Sequence, residues 1–444
     1  MRKFLAIIIS NIINTLSKLF GKQGTVIGGS IALKIDPNIL KKIKYPKYVI
    51  GVSGSSGKGS ATKMIAGLLE YCGYSYAYNS EGSNAINGIA SLILRNVNLK
   101  GVFKKDVLLM ELDEKHSVSI LKNFDLTHYV LTNITRDQPP RNAHPDYIYN
   151  EMKKNVKDSV HLIVNADDPI IYRLSLKHKL NTYYGINKND YSKSFEYNYK
   201  DASYCPICGT KLDYEYYHYG HLGKYACPNH DFYRPELDVY ADKLDVENKI
   251  IYINNNEIKI KKNFFYTVYA YLACYSLGIS INIPEEKILE YFKSIKKEED
   301  PLIFNHNNRK WQILLSKSEN NLSYKQTLDY LSHEKGTKTI VTGFNHCSRR
   351  YAENDLSWLW DIDFEELKDK SIDKIVIVGK FRYNILNRLL YAGIGKDKCI
   401  LVEDYTPDLI DVIESQTVGN IYPIVCFDTG ILLKELLRGV NNEN

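Results

Sequence analysis

The chain has 444 residues, of which 44% are apolar and 25% are charged. This length predicts two or three domains, and the composition excludes a disordered or fibrous protein. The net charge of +6 suggests acidic ligands without requiring a nucleic acid. Eight cysteines in so long a chain do not indicate a secreted disulfide scaffold, and three of them lie in one short segment. We therefore expect a metal site in a cytoplasmic protein.

The N-terminal segment, residues 1–45, contains a short apolar run from Phe4 to Ile9. The run is too short to span a bilayer, and no small-residue cleavage site follows it. A helix that packs on the rest of the protein is the favoured interpretation. Peripheral contact with a membrane surface is the alternative, because Lys18 and Lys22 flank the apolar face.

A glycine-rich loop follows the apolar run at 48–50 and precedes a helical pattern at 61–69. Its residues are Gly54, Ser55, Ser56, Gly57, Lys58, Gly59 and Ser60. A loop between a strand and a helix can cradle phosphate with its backbone N–H groups and the helix N-terminus. Lys58 can reach the terminal phosphates of a nucleotide, and the Ser60 hydroxyl can bind Mg²⁺. A plain glycine turn is the alternative, but the Lys-Gly-Ser ending and the flanking pattern argue against it.

Three further apolar runs, at 106–111, 127–133 and 161–165, each end in polar residues. This pattern is typical of buried parallel strands whose carboxyl ends carry a site. A second series of strands and helices follows in the last third of the chain. The sequence therefore predicts an α/β protein with a central ATP-binding domain at 46–300 and a Rossmann-like C-terminal domain at 301–444.

Polar side chains follow these predicted strands. Glu111 and Asp113 lie at the end of one strand and could hold Mg²⁺ opposite the phosphate loop, while Asn133 and Gln138 follow the next. A solvated strand end is the alternative for each residue, but the convergence of several strand ends favours a shared site. For the segment 165–169, a turn capped by its own side chains is an equal alternative to ligand contact.

A cysteine-rich insert at about 201–237 has the spacing of a zinc ribbon. Cys205 and Cys208 form one knuckle, and Cys227 and His230 form a second. Three thiolates and one imidazole would give a tetrahedral, structural Zn²⁺ site. His218 and His221 lie nearby and could replace His230, and three buried free cysteines are the alternative without metal.

An aromatic segment runs from Asp355 to Asp361 and contains Trp358 and Trp360. Its composition alone indicates only a loop that enters a core helix. No Cys-His or Ser-His set suggests that the chain is a hydrolase by itself.

Together these motifs resemble the Mur ligase superfamily, and most closely its MurT group, over nearly the whole chain. The similar segments are 21–37, Gly54–Ser60, 79–89, Glu111–Glu114, Thr132–Gln138, Asn165–Pro169 and Asp355–Asp361. The inserted zinc ribbon is the feature that separates the MurT group from ordinary Mur ligases.

The resemblance implies an activity and a partner. ATP and Mg²⁺ would bind at the phosphate loop, with Lys58 and Glu111 as catalytic residues. The α-carboxyl of D-isoglutamate in lipid II, the lipid-linked peptidoglycan precursor, would be phosphorylated, and ammonia would convert the acyl phosphate to an amide. A GatD-type glutaminase subunit would supply the ammonia, and Asp355 would complete its Cys-His pair.

The chain also departs from the family pattern. The segment 137–141 lacks one carboxylate of the usual Asp-Gln-Leu-Asp-Arg, 317–319 differs from Lys-Asn-Pro, and no Phe-Gly-Arg occurs between 293 and 310. A stand-alone ligase of the folylpolyglutamate synthase type is one alternative, suggested by the Lys-Gly-Ser of the loop. A zinc-ribbon nucleic-acid-binding protein is the other, but no basic stripe mixed with aromatic residues lies beside the cysteines. We therefore expect no nucleic-acid partner.

Overall fold

The computed structural model describes ten stretches of the chain. They are residues 1–19, 26–80, 83–142, 144–154, 156–194, 200–245, 248–260, 267–295, 302–347 and 355–442. Parts of the N-terminal family-like segment (21–25), of the segment at 79–89 (81–82) and of the charged stretch before 301 lie outside them. No helix in the described stretches has the length and hydropathy needed to span a membrane.

The described strands are numbered in chain order. They are β1 (Tyr48–Ser53), β2 (Tyr76–Tyr78), β3 (Val107–Glu111), β4 (His128–Leu131), β5 (His161–Asn165), β6 (Asn181–Ile186), β7 (Asp213–Tyr219), β8 (Leu222–Ala226), β9 (Val239–Asp245), β10 (Ile250–Ile253), β11 (Asn256–Lys259), β12 (Ile303–His306), β13 (Arg309–Gln312), β14 (Leu314–Leu315), β15 (Lys338–Gly343), β16 (Ile372–Val378), β17 (Cys399–Val402) and β18 (Asn420–Val425).

The described α-helices are numbered in the same way. They are α1 (Arg2–Leu19), α2 (Ile27–Ile35), α3 (Lys58–Tyr71), α4 (Ile86–Arg95), α5 (Ser117–Leu121), α6 (Pro139–Asn142), α7 (Pro145–Lys153), α8 (Pro169–Ser175), α9 (Thr267–Ser280), α10 (Glu285–Ser294), α11 (Asn321–His333), α12 (Arg382–Tyr391), α13 (Pro407–Gln416) and α14 (Phe427–Asn442). Short 3₁₀ turns lie at Ile39–Lys42, Ser357–Asp361, Phe364–Lys368 and Lys396–Lys398.

The chain divides into two compact units. The first comprises Met1–Ile134, His144–Phe195 and Ala202–Lys296, and the second comprises Thr135–Ala143, Glu196–Asp201 and Lys297–Asn444. The N-terminal segment is thus part of the first unit. The stretch around Asp137, which the sequence places in the central domain, belongs to the second unit.

The first unit is built on a nine-stranded sheet with the order β11-β10-β9-β6-β5-β4-β1-β3-β2. Strands β1 to β6 are parallel to their neighbours and β9 is parallel to β6, while β10 is antiparallel to β9 and to β11 at the edge. All six residues of β1 are buried, as the continuous apolar run predicts for a central parallel strand. The buried helix α9 packs against α3.

The second unit contains a seven-stranded sheet, in which β12-β13-β18-β15-β16-β17 form the main path and β14 also pairs with β18. Strands β15, β16, β17 and β18 are parallel, and β12 pairs antiparallel with β13 at the edge. The predicted α/β class is confirmed for both units.

The insert in the first unit consists of two cysteine knuckles on the antiparallel hairpin of β7 and β8. It is joined to the main sheet through Asp167, which is fully buried after β5. This carboxylate accepts hydrogen bonds from Arg234 Nε at 2.6 Å, from Tyr269 Oη at 2.8 Å and from the Ile186 N–H at 2.8 Å. The neighbouring Asp168 caps α8. The segment 165–169 is thus a capped turn that also anchors the insert.

We expect Asp167→Ala to destabilise the first unit by about 3–5 kcal/mol, because it leaves the buried Arg234 guanidinium without its partner. Lys224→Ala is the matched control, since its ion pair with Glu215 on the same hairpin is half exposed. The control should cost less than about 1 kcal/mol. Urea unfolding of the two variants measures both values, and equal losses would contradict the anchoring role of Asp167.

Candidate active site

The phosphate loop lies between the ends of two neighbouring strands, because β1 is flanked by β3 and β4 in the sheet. Asn133, which follows β4, holds the loop from one side. Its Oδ1 accepts from the Ser56 N–H at 2.9 Å, its Nδ2 donates to the Ser56 carbonyl at 3.0 Å, and its own carbonyl accepts from the Ser55 N–H at 2.8 Å. Thr132 Oγ1 donates to the same Ser56 carbonyl at 2.7 Å. The predicted role of Asn133 beside the loop therefore has a physical basis: it fixes the backbone of the loop.

Two glycines of the loop are required by the backbone. Gly54 has a φ of +141°, and a Cβ there would lie 2.2 Å from Thr132 Oγ1. Gly57 has a φ of +78° and stands at the N-cap of α3. Within the described residues no side chain caps α3, and Gly57, Gly59 and Ser60 are exposed. The first N–H groups of the helix therefore face an open space that suits an anion.

Lys58 is the first residue of α3, and its side chain folds back over the phosphate loop. Its Nζ donates to the Gly54 carbonyl at 2.7 Å and to Glu114 Oε2 at 3.1 Å. Glu114 is only 1% exposed, so the loop holds an ammonium group backed by a buried carboxylate. Glu114 lies in the Glu-Leu-Asp-Glu motif, but nothing in the sequence alone distinguishes it from the other carboxylates there.

Glu111 ends β3 on the other side of the loop. A Cβ on Gly59 would lie 3.4 Å from Glu111 Oε2, which places this carboxylate beside the N-terminus of α3. Asn79 fixes the Glu111 backbone with two hydrogen bonds, of 2.8 and 2.9 Å. Glu111 and the Ser60 hydroxyl are thus oxygen groups of the kind that Mg²⁺ prefers. In contrast, Asp113 accepts hydrogen bonds from the Lys115 and His116 N–H groups and closes a turn.

Gln138 belongs to the second unit. Its N–H donates to the Glu319 carbonyl at 2.8 Å. The neighbouring Asp137 is buried and bonded to Lys317 Nζ at 2.5 Å and to Asn320 Nδ2 at 3.0 Å. The two segments that depart from the family pattern, 137–141 and 317–319, therefore contact each other directly.

Asp355 is half-buried, and its Oδ1 accepts a hydrogen bond from the Ser357 N–H at 2.8 Å. Trp358 is 2% exposed, and its ring lies 5.5 Å from that of Tyr324 and 5.4 Å from that of Phe344. Trp360, in contrast, is 53% exposed. One tryptophan therefore fixes this segment in the core of the second unit, and the other faces outward.

Ion pairs and hydrogen bonds of two arginines also fix the segment from Asp355 to Asp361. Arg388 donates from Nε to the Leu359 carbonyl at 3.2 Å and pairs with Glu365 at 3.0 Å. Arg136 pairs with Asp361 at 2.9 Å. Burial raises the pKa of Asp361 to about 6, although Arg136 opposes the shift. The sequence did not reveal Arg388, because it lies within an ordinary helical pattern.

The cysteine knuckles bring four possible metal ligands together. Cys205, Cys208, Cys227 and Asp231 have ligand atoms within 4.8 Å of one another, a spacing that fits one tetrahedral ion. Cys205 Sγ lies 3.2 Å from Asp231 Oδ1, and Cys208 Sγ lies 3.4 Å from Cys227 Sγ. The hydrogen bond with Thr210 lowers the pKa of Cys208 to about 7, whereas desolvation raises the pKa values of Cys205 and Cys227 in the absence of a metal.

The fourth group in this cluster is Asp231, not the predicted His230. His230 has a φ of +58° and is exposed, and its ring is not among the clustered ligand atoms. The two alternative histidines face the anchor of the insert instead: His218 Nε2 contacts the Ile186 carbonyl at 2.8 Å, and His221 Nε2 lies 3.3 Å from Asp168. The turn after Cys227 therefore places the side chain of Asp231, and not that of His230, beside the cysteines.

Comparisons with known proteins find two families that match parts of this chain. Residues 52–230 match the Mur ligase middle domain family, and residues 317–428 match the MurT ligase C-terminal family. The lipid II isoglutaminyl synthase (glutamine-hydrolyzing) subunit MurT of Staphylococcus aureus strain COL is 28% identical over 401 residues, which cover 89% of both chains. The subunit of the same name from Streptococcus pneumoniae strain R6 is 25% identical over 94% of this chain and 92% of the relative.

A solved structure extends the comparison to the fold. The pseudomurein peptide ligase type C from Methanothermus fervidus superimposes with a TM-score of 0.69 at 21% identity, over 91% of this chain and 81% of the other. The phosphate loop and the two α/β units thus define an ATP-dependent ligase of the Mur type. The chain belongs to the MurT group of the Mur ligase superfamily.

We expect the purified protein to contain about one zinc ion per chain, as a single four-ligand site requires. Asp231→Ala removes one clustered ligand and should lower the zinc content measured by elemental analysis. His230→Ala is the matched control and should retain the metal. Loss of zinc in the control, with retention in Asp231→Ala, would contradict the ligand set.

Proposed function

We propose that this protein is the synthetase subunit of an enzyme that amidates the α-carboxyl of D-isoglutamate in a lipid-linked peptidoglycan precursor of the lipid II type. The observation that carries the proposal is the phosphate loop, whose backbone is held by Asn133 and whose opening is covered by the Lys58 side chain. The chain is similar over 89% of its length to a MurT subunit. The names of those relatives support the choice of substrate.

The proposed reaction begins with transfer of the γ-phosphate of ATP to the substrate carboxylate. The N–H groups at the start of α3 and the Lys58 ammonium would hold the phosphates and stabilise the charge that develops on the transferring group. Glu111 and Ser60 would hold Mg²⁺, which supplies further charge neutralisation when it is bound. Ammonia then attacks the acyl phosphate, the C–N bond forms, and phosphate leaves.

Ammonia in this proposal comes from a glutaminase subunit of the GatD type. The word subunit in the names of the relatives supports a partner, and the segment after Asp355 offers a fixed surface for it. Asp355 would orient the imidazole of the partner's Cys-His pair and stabilise its charged form. The clustered cysteines would hold a structural Zn²⁺ ion, and the protein would act in the cytoplasm, where ATP is available.

The synthetase reaction is tested with the purified chain, ATP, Mg²⁺, ¹⁵N-ammonium and a lipid-linked stem peptide. We expect ¹⁵N in the product amide and an equal amount of ADP. Lys58→Ala should lower this activity by at least about 100-fold, because it removes the cation at the loop. Lys63→Ala is the matched control, since Lys63 is exposed on the same helix.

Product formed from an amino acid but not from ammonia would contradict amidation and favour the stand-alone ligase. Wild-type activity in Lys58→Ala would contradict the assigned nucleotide site.

The role of Asp355 is tested in the complex with the glutaminase. Asp355→Asn should strongly reduce amidation driven by glutamine and retain amidation driven by ammonium salt, because the synthetase site does not use this residue. Asp411→Asn, an exposed position of the second unit, is the control. Equal losses with both nitrogen sources would mean that Asp355 serves the ligase reaction or the fold.

A further inference from the structure

Helix α1 leaves several large apolar side chains on the outside. Its buried positions are Ala6, Ile7, Ser10 and Asn14, whereas Ile12 is 53% exposed and Leu16 is 48% exposed. The other exposed apolar side chains of this region are Met1, Phe4 and Leu5. A helix that only packs on a protein core has an outer face of polar and charged residues, not of large apolar ones. The favoured interpretation of the sequence, a helix that simply packs on the protein, therefore explains only its inner face.

Close packing among three helices explains why Ala6, Ser10 and Asn14, three of the four buried positions of α1, are small or polar. Helix α1 packs on α2, and α2 packs on α4. A Cβ on Gly29 of α2 would lie 2.1 Å from the Asn87 carbonyl oxygen and 2.5 Å from the Ser91 nitrogen of α4. Interfaces of small residues with large apolar residues outward are typical of helices that lie in an apolar surrounding.

The exposed apolar surface continues beyond α1. Lys3 Nζ donates to the Lys100 carbonyl at 2.7 Å, so the turn at 98–102 lies beside the start of α1. Leu99 and Val102 of this turn are exposed, as are Val26 and Ile27 at the start of α2. We call the exposed apolar residues of α1, of this turn and of the start of α2 the apolar face.

The segment that contains α1 and α2 is strongly basic in sequence. Residues 1–45 contain eight lysines and arginines and a single acidic residue, Asp36, whereas the whole chain has a net charge of only +6. Asp36 is buried and paired with Lys42 at 2.6 Å. Basic side chains with long aliphatic stems can extend from an apolar surface to anionic head groups.

We propose that the apolar face binds the surface of an anionic lipid bilayer, with α1 lying in the plane of the interface. The exposed apolar side chains would enter the boundary between head groups and acyl chains, and the basic residues would contact the lipid phosphates. The helix is too short and too charged at its start to cross the membrane, in agreement with the finding on membrane spans. This inference deepens the proposed function, because it brings the protein to the surface that contains a lipid-linked substrate.

The test is co-sedimentation of the full chain with vesicles of phosphatidylcholine that contain or lack phosphatidylglycerol. The wild type should bind the anionic vesicles, and added salt should weaken the binding. The double variant Ile12→Glu and Leu16→Glu should reduce vesicle partition by about tenfold or more. The matched control is Leu176→Glu with Leu180→Glu, two exposed leucines outside the apolar face.

Circular dichroism and size-exclusion light scattering of each variant accompany the binding measurement. Absence of wild-type binding to anionic vesicles would overturn the proposal, as would equal binding by the α1 variant. A dimer that the α1 substitutions dissociate, without vesicle binding, would instead assign the face to a second copy of this chain. The vesicles contain no substrate, so failure here leaves the amidation proposal intact.

Discussion

The brace between Asn133 and the backbone of Ser55 and Ser56 is the interaction on which the site depends. The sheet order β3-β1-β4 brings the end of β4 to the loop, and the side chain amide of Asn133 then satisfies both backbone groups of Ser56. When the loop is fixed, the N–H groups at the start of α3 stay available to a ligand. The Lys58 ammonium then lies between the Gly54 carbonyl and the buried carboxylate of Glu114. A preformed site of this kind binds phosphate without the cost of ordering a glycine-rich loop.

Much of this arrangement could be predicted from the sequence because it rests on local patterns. Continuous apolar runs identify buried parallel strands, and polar residues at their ends identify the site edge. Glu111 and Asn133 follow from that rule. Asp231 could not be predicted, because the turn after Cys227 decides which side chain faces the cysteines, and the spacing suggested His230. Gln138 was expected at the same edge; its segment packs with 317–319 in the second unit, and its contact with a nucleotide stays a prediction.

The outward apolar side chains of α1 illustrate a second limit of sequence patterns. The apolar run predicts a helix, but only its packing on α2 reveals that Ile7 faces inward while Ile12 and Leu16 face outward. The buried ion pairs are a further feature that the sequence pattern does not reveal. Asp167 looks like one more polar residue after a strand, yet it joins the insert to the main sheet through Arg234. Such long-range pairs depend on the tertiary structure, so a single sequence does not indicate them.

We propose that Asn133 builds the nucleotide site by fixing the phosphate loop. The most direct measurement is ATP affinity by titration calorimetry in Asn133→Ala, with Asn123→Ala as a control in which the amide bonds only to the Ser119 carbonyl. Loss of the bonds to Ser56 should weaken ATP binding by about tenfold or more, while the control binds like the wild type. Thermal unfolding of both variants separates a loosened loop from an unfolded protein. Unchanged ATP affinity in a folded Asn133→Ala variant would contradict the account.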